Sequence, residues 1–195
     1  MIDRDVHREA MRTKSISRQM PFMVVILAGI AVLVTVNNYP LFWGIQFIFG
    51  MSIALATLFL KRGLWGFIIA IPVAIATYYI WGAPYPGISF IAEITFLTGI
   101  RNSKAGDKVL RNGSILIYDF IYNALIGAPF YYLTYTYIVK ATRETTLLLA
   151  QKSIVNGVIN SLIAYVIYAA ITLFLNNRSE KRQTVSLQAL ALATV

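Results

Sequence analysis

The sequence predicts an all-α membrane protein, a six-transmembrane-helix bundle with both termini cytoplasmic. Two observations predict it. Apolar residues make up 58% of the 195-residue chain and charged residues only 13%, against about a quarter in soluble domains. They come in long runs rather than in stripes, as a lipid environment requires. The basic residues gather between alternate runs, which gives the bundle its orientation.

The chain divides at 1–19, 20–175 and 176–195. Residues 1–19 are polar and carry Arg4, Arg8, Arg12, Lys14 and Arg18. They read as a cytoplasmic basic tail. The first apolar run, 20–36, is long for a signal-peptide core. The following Asn37-Asn38-Tyr39-Pro40 offers no small-residue cleavage site, so the run reads as a retained helix. The second run is 41–60, closed by Lys61-Arg62-Gly63, and the third is 64–81, with Pro72 expected to kink it. An uncharged turn, Gly82-Ala83-Pro84-Tyr85-Pro86-Gly87, leads to a fourth run at 88–100. Those 13 residues would reach only about 20 Å, so this helix must start inside the proline turn, tilt or break. A basic loop, 101–113, separates it from the fifth run, 114–138, which contains Asp119, Asn123, Gly127 and Pro129. Residues 140–151 read as a polar connection and 153–175 as the sixth run. Residues 176–195 read as a cytoplasmic connector and the start of a further helix, cut short because the protein continues. A short amphipathic helix on the inner leaflet is the alternative. With the N-terminus inside, 14 of the 17 Lys and Arg fall on the cytoplasmic side, and only Lys140, Arg143 and Lys152 fall outside.

Composition excludes several classes of chemistry. There is no cysteine, so disulfides, thiolate metal sites and cysteine nucleophiles are out. The one histidine, His7, stands in the charged tail without a second candidate ligand, and no metal or other cofactor is expected. The net charge of +9 follows from topology, and no nucleic-acid partner is expected. No P-loop, dinucleotide fingerprint, zinc-protease motif or nucleophile elbow occurs, so no catalytic residue is assigned.

The candidate functional residues are polar groups inside the apolar runs, where a charge costs about 2.5–3.5 kcal/mol on insertion scales. Lys152, Asn156 and Asn160 are spaced i, i+4, i+8 and form one polar stripe on a helix. Ser153, Gly157 and Ser161 form a stripe of small residues beside it. The two stripes read either as helix-packing contacts or as a site. Glu93 is expected at the depth of Lys152, so that the two form an ion pair or border a shared outward-opening cavity between the fourth, fifth and sixth helices. Asn123 joins them as a ligand-binding or signalling candidate. Asp119 is expected at a different depth, in packing near the cytoplasmic end. Trp43, Tyr78, Tyr79, Trp81, Tyr85 and the tyrosines after Pro129 read as interface anchors or as the lining of that pocket.

The order of these features carries a resemblance over roughly residues 40–190. Trp81-Gly82-Ala83-Pro84-Tyr85 is followed by the helix of Glu93, the basic loop and Gly127-Ala128-Pro129. Then come Gln151-Lys152, Asn156-Gly157 and Asn160-Ser161-Leu162-Ile163-Ala164. This resembles the multi-helix N-terminal sensory region of bacterial membrane-bound histidine kinases and diguanylate cyclases. The resemblance implies an input module in the bacterial inner membrane that detects a small polar ligand from the outer side, or the state of the bilayer. It also implies a cytoplasmic output domain and a homodimer formed through it. No phosphoacceptor histidine, ATP-binding or cyclase motif is present, so the output type is open. The six-helix format with both ends inside is also that of the substrate-binding component of vitamin-type transporters, and this is the alternative function.

Overall fold

The computed structural model describes residues 21–37, 39–42, 45–61 and 63–192, with side-chain surroundings for 21–37, 47–61 and 63–174. The basic tail at 1–19 and the side chains of 176–195 lie outside these residues, as does Trp43. The fold is all-α apart from one short hairpin. Helix α1 (Pro21–Val36) is followed by strands β1 (Tyr39–Phe42) and β2 (Ile45–Phe47), paired antiparallel with an irregularity between Pro40 and Phe42. Then come α2 (Gly50–Leu60), α3 (Trp65–Trp81), α4 (Tyr85–Asn102), α5 (Gly106–Arg111), α6 (Ser114–Tyr122), α7 (Ala128–Leu133) and α8 (Arg143–Leu192). Two π-helical turns, Asn123–Gly127 and Thr134–Ile138, join α6 to α7 and continue α7, so 114–138 is one unbroken helical stretch.

The second apolar run is thus not a single helix from residue 41. Its first half pairs as a hairpin because Pro40 cannot donate to a helix and the aromatic and β-branched residues there suit a pleated strand. What remains, α2, is 11 residues, about 17 Å long. It is apolar all round and buried at 9 of those 11 positions, so it forms the hub of the bundle rather than one wall. Met51, Leu55, Leu58 and Phe59 pack there against Ile69 and Val73 of α3, Ile94 and Leu97 of α4, and Ala164 of α8.

Helix α3 passes through Pro72 and ends on Gly82, whose positive φ of 63° lets its N–H reach the Tyr78 carbonyl at 2.8 Å. Helix α4 starts in the proline turn, with Pro86 in its first turn, and extends to 18 residues. At its far end buried Arg101 donates to the Asp107 carboxylate at 2.7 Å and to the Phe59 carbonyl at 3.4 Å, tying the ends of α2 and α4 to α5. Helix α8 starts at Arg143, so 143–151 belong to it and not to a polar connection.

Among the described residues one helix is long and apolar enough to cross a membrane, the stretch Arg143–Phe174 of α8, with mean hydropathy 1.9. Pro21–Val36, Gly50–Leu60 and Trp65–Trp81 are apolar but shorter. Large apolar side chains nonetheless face outward, with Phe22 and Val25 of α1, Ile75 and Tyr79 of α3, Leu125 before α7, and Val166 and Leu173 of α8 all exposed.

Between β2 and α2 the backbone is neither strand nor helix, yet Ile48 is buried. A buried peptide group needs partners for both its N–H and its C=O. Helix α8 supplies them. Ile48 N–H donates to Asn156 Oδ1 at 3.1 Å, and Asn160 Nδ2 donates to the Ile48 carbonyl at 2.8 Å. Asn160 Nδ2 also donates to the Asn156 carbonyl at 2.8 Å, and its Oδ1 accepts from the Ser52 hydroxyl at 2.6 Å. In an Asn160→Leu variant, Ile48 C=O and the Ser52 hydroxyl lose their partners. Each orphaned buried group costs about 1–3 kcal/mol, so a loss of at least about 2 kcal/mol is expected in denaturant titration of the detergent-solubilised protein. Leu173→Val, at a side chain 63% exposed, is expected to stay within about 0.5 kcal/mol.

Candidate functional site

A cavity of about 120 Å³ opens where the end of α3, α4, the 114–138 helix and α8 meet. Two helices contribute the same pattern to it. Pro86, Ser89, Phe90 and Glu93 of α4, and Leu149, Lys152, Ser153 and Asn156 of α8, are each spaced i, i+3, i+4, i+7, one continuous helical face. Trp81 comes from the end of α3, Asn123 from the first π turn, Tyr131 from α7 and Tyr135 from the second π turn, with Ile48 closing one side.

The polar groups sort into two parts. Glu93 is only 2% exposed and stands beside the Asp119 carboxyl and the Asn123 amide. Asn123 Nδ2 donates to the Asp119 carbonyl at 3.1 Å and to Asp119 Oδ1 at 3.3 Å. Glu93 Oε1 and Asp119 Oδ2 are buried with no hydrogen-bond partner among the described residues. Tyr122 next to them donates its hydroxyl to the Ser89 carbonyl at 3.2 Å. On the other part, half-buried Lys152 holds its ammonium 5.1 Å from the centre of the Trp81 ring, a cation–π contact. Tyr131 stacks on Tyr135 at 6.0 Å, and Tyr135 meets Tyr85 edge-on at 6.2 Å.

The structure gathers Glu93, Asn123, Lys152 and Asn156 around this one cavity. Asn160 is not part of its lining; its side chain is used up on Ile48, Ser52 and Asn156. Glu93 and Lys152 share the cavity without forming an ion pair. Asp119 is not at a separate depth: α4 begins three residues before the apolar run does, which moves Glu93 to mid-helix and level with Asp119. The aromatic residues divide between the two readings. Trp81, Tyr131 and Tyr135 line the cavity, whereas Tyr78, Tyr79, Tyr132 and Tyr137 face outward, Tyr79 at 82% exposure.

The π turn was not foreseen, and its signal was Pro129. Proline has no N–H to continue the i+4 ladder, and just before it the Ala128 N–H bonds to the Asn123 carbonyl, an i+5 spacing. The extra residue swings Asn123 toward α8. There it packs on Gly157, where an added Cβ would collide with the Asn123 amide. The stripe of small residues thus makes room for one specific polar side chain.

Among the described residues no three His, Cys, Asp or Glu gather at a metal-binding distance. The cavity offers the Glu93 carboxyl on one part, an ammonium on the other and aromatic walls between them, an arrangement for holding a small polar molecule. Compared with family models, curated proteins and solved structures, the chain matches none of them.

Gly157→Ala is expected to destabilise by about 1–3 kcal/mol, because Asn123 must leave its bonds to Asp119. Gly99→Ala on α4, with nothing within 4 Å of the added Cβ, is expected to be neutral or stabilising by up to about 1 kcal/mol. Parallel unfolding curves of the two variants check this.

Proposed function

We propose that the chain is a membrane-embedded input module of a bacterial signalling protein, binding a small polar ligand in an outward-opening cavity and passing the change along α8 to the cytoplasm. One observation carries this reading. Four cavity residues, Leu149, Lys152, Ser153 and Asn156, stand on the same helix that runs without a break to Leu192. That helix has 50 residues, about 75 Å, well over twice the hydrocarbon thickness of a bilayer. A ligand that shifts the cavity end of such a rod shifts its far end.

In this reading the bundle lies in the bacterial inner membrane as six spans with both ends inside: α1, the hairpin with α2, α3, α4, 114–138 and α8. The distribution of 14 of 17 basic residues and the apolar outer faces support it. The hairpin and α2 make a broken span. Non-helical backbone at membrane depth is tolerated where protein covers it, and the two α8 asparagines satisfy Ile48 there.

The same break supports a second reading, the substrate-binding component of a small-molecule transporter. Broken helices beside a central site recur in transporters, and Ile48 borders the cavity.

Two measurements test these readings. The chain has no cysteine of its own, so an Ala105→Cys variant reports topology. An impermeant maleimide is expected to label it only after the membrane is opened; labelling of intact cells overturns the orientation. Lys152→Met is expected to shift the output of the intact protein at unchanged abundance. Unchanged output with altered solute uptake would favour transport instead.

A further inference from the structure

The cavity's charge pattern narrows what it holds. Glu93 Oε1, on the cavity lining, is a buried acceptor with no hydrogen-bond partner among the described residues, and the nearby Asn123 amide donates to Asp119. An acceptor kept away from water lacks a partner that a ligand can bring. Lys152 presents the opposite need. Its ammonium carries three donors, rests on the Trp81 face, and among the described residues meets no carboxylate at ion-pair distance. Glu93 and Lys152 border one space of about 120 Å³ without forming an ion pair.

Resting on the reading of this cavity as a ligand site, we propose that its ligand is a small zwitterion of amino-acid type, with its ammonium at Glu93 and its carboxylate at Lys152. A simple anion would satisfy Lys152 but face the Glu93 carboxyl group. A simple cation would satisfy Glu93 but leave the lysine unpaired. An uncharged solute would leave Glu93 and Lys152 both without a charge partner. The stacked Tyr131 and Tyr135 and the Trp81 ring present aromatic faces that accept both an ammonium and the carbon chain between the two ends. The small volume limits that chain to a few atoms.

Matched probes test the inference on the intact protein in lipid nanodiscs, read by calorimetry and by the fluorescence of Trp81 in a Trp43→Phe, Trp65→Phe background. One set is L-alanine, ethylamine and propionate; the other is 4-aminobutyrate, butylamine and butyrate. In at least one set the zwitterion is expected to bind about tenfold or more tighter than both partners, as for hydrogen bonds to charged groups. Lys152→Met is expected to abolish the advantage over the amine, and Glu93→Gln the advantage over the acid. Lys152 is only half-buried, so its variant keeps the test decisive if Glu93→Gln fails to fold. An amine or acid that binds as tightly as its zwitterion, or a preference unchanged in Lys152→Met, overturns the zwitterion and leaves the ligand site standing. No response to any of the six probes overturns the ligand site and the zwitterion with it.

Discussion

The bundle depends on one buried peptide group. Ile48 sits where the hairpin gives way to α2, so no ladder serves its N–H or its C=O, and no water reaches them. Leaving both unpaired would cost several kcal/mol, a large part of the net stability of a small domain. Asn156 and Asn160 meet both groups from α8, and they can do so only at one axial and one rotational setting of that helix. The hydrogen bonds therefore do more than fill a need at Ile48. They fix α8 against the hub helix α2, with Ser52 adding a third tie.

That setting in turn builds the cavity. Once Asn160 is bound to Ile48, spacings of three and four residues along the helix turn Asn156, Lys152 and Leu149 toward α4 and the 114–138 helix. Asn156 belongs to both structures, since it accepts from Ile48 and also lines the cavity. Gly157, beside it, admits Asn123, which swings inward because the π turn before Pro129 adds a residue to the helix. Asn123 then holds Asp119 next to Glu93. A buried polar network of this kind contributes little net stability, yet breaking it part-way is costly. It specifies one arrangement of four helices and leaves the Glu93 carboxyl and the Lys152 ammonium on the cavity lining. Because Asn156 joins the two, a ligand that pulls on Lys152 acts on the same helix turn that anchors Ile48. Nearness of this kind gives a physical route for coupling.

Much of this was legible in the residues, and what was not has physical causes. The helical class and the apolar segments followed from the long runs, and the stripe of Lys152, Asn156 and Asn160 from spacing alone. Spacing could not say how the stripe would be divided. Asn160 went to the backbone of Ile48 because the second run broke into a hairpin, and hydropathy does not distinguish an apolar strand pair from half of a helix. The depth of Glu93 was counted from Ile88, although a helix starting inside the proline turn was one of the options left open. Proline is at home in the first turn of a helix, so α4 starts at Tyr85 and Asp119 comes level with Glu93. The aromatic residues near the outer ends look alike in sequence. Only the packing shows that Trp81, Tyr131 and Tyr135 turn inward while Tyr79 does not.

The central claim is that α8 holds the Ile48 peptide, and amide hydrogen exchange at that one residue measures it most directly. Ile48 is outside any helix or strand, so its N–H would exchange quickly if Asn156 were not its acceptor. The account predicts protection comparable to that of the α2 amides, and its loss in an Asn156→Ala variant whose α3 and α4 amides stay protected. Fast exchange at Ile48 in the unaltered protein, or protection that survives Asn156→Ala, would contradict it.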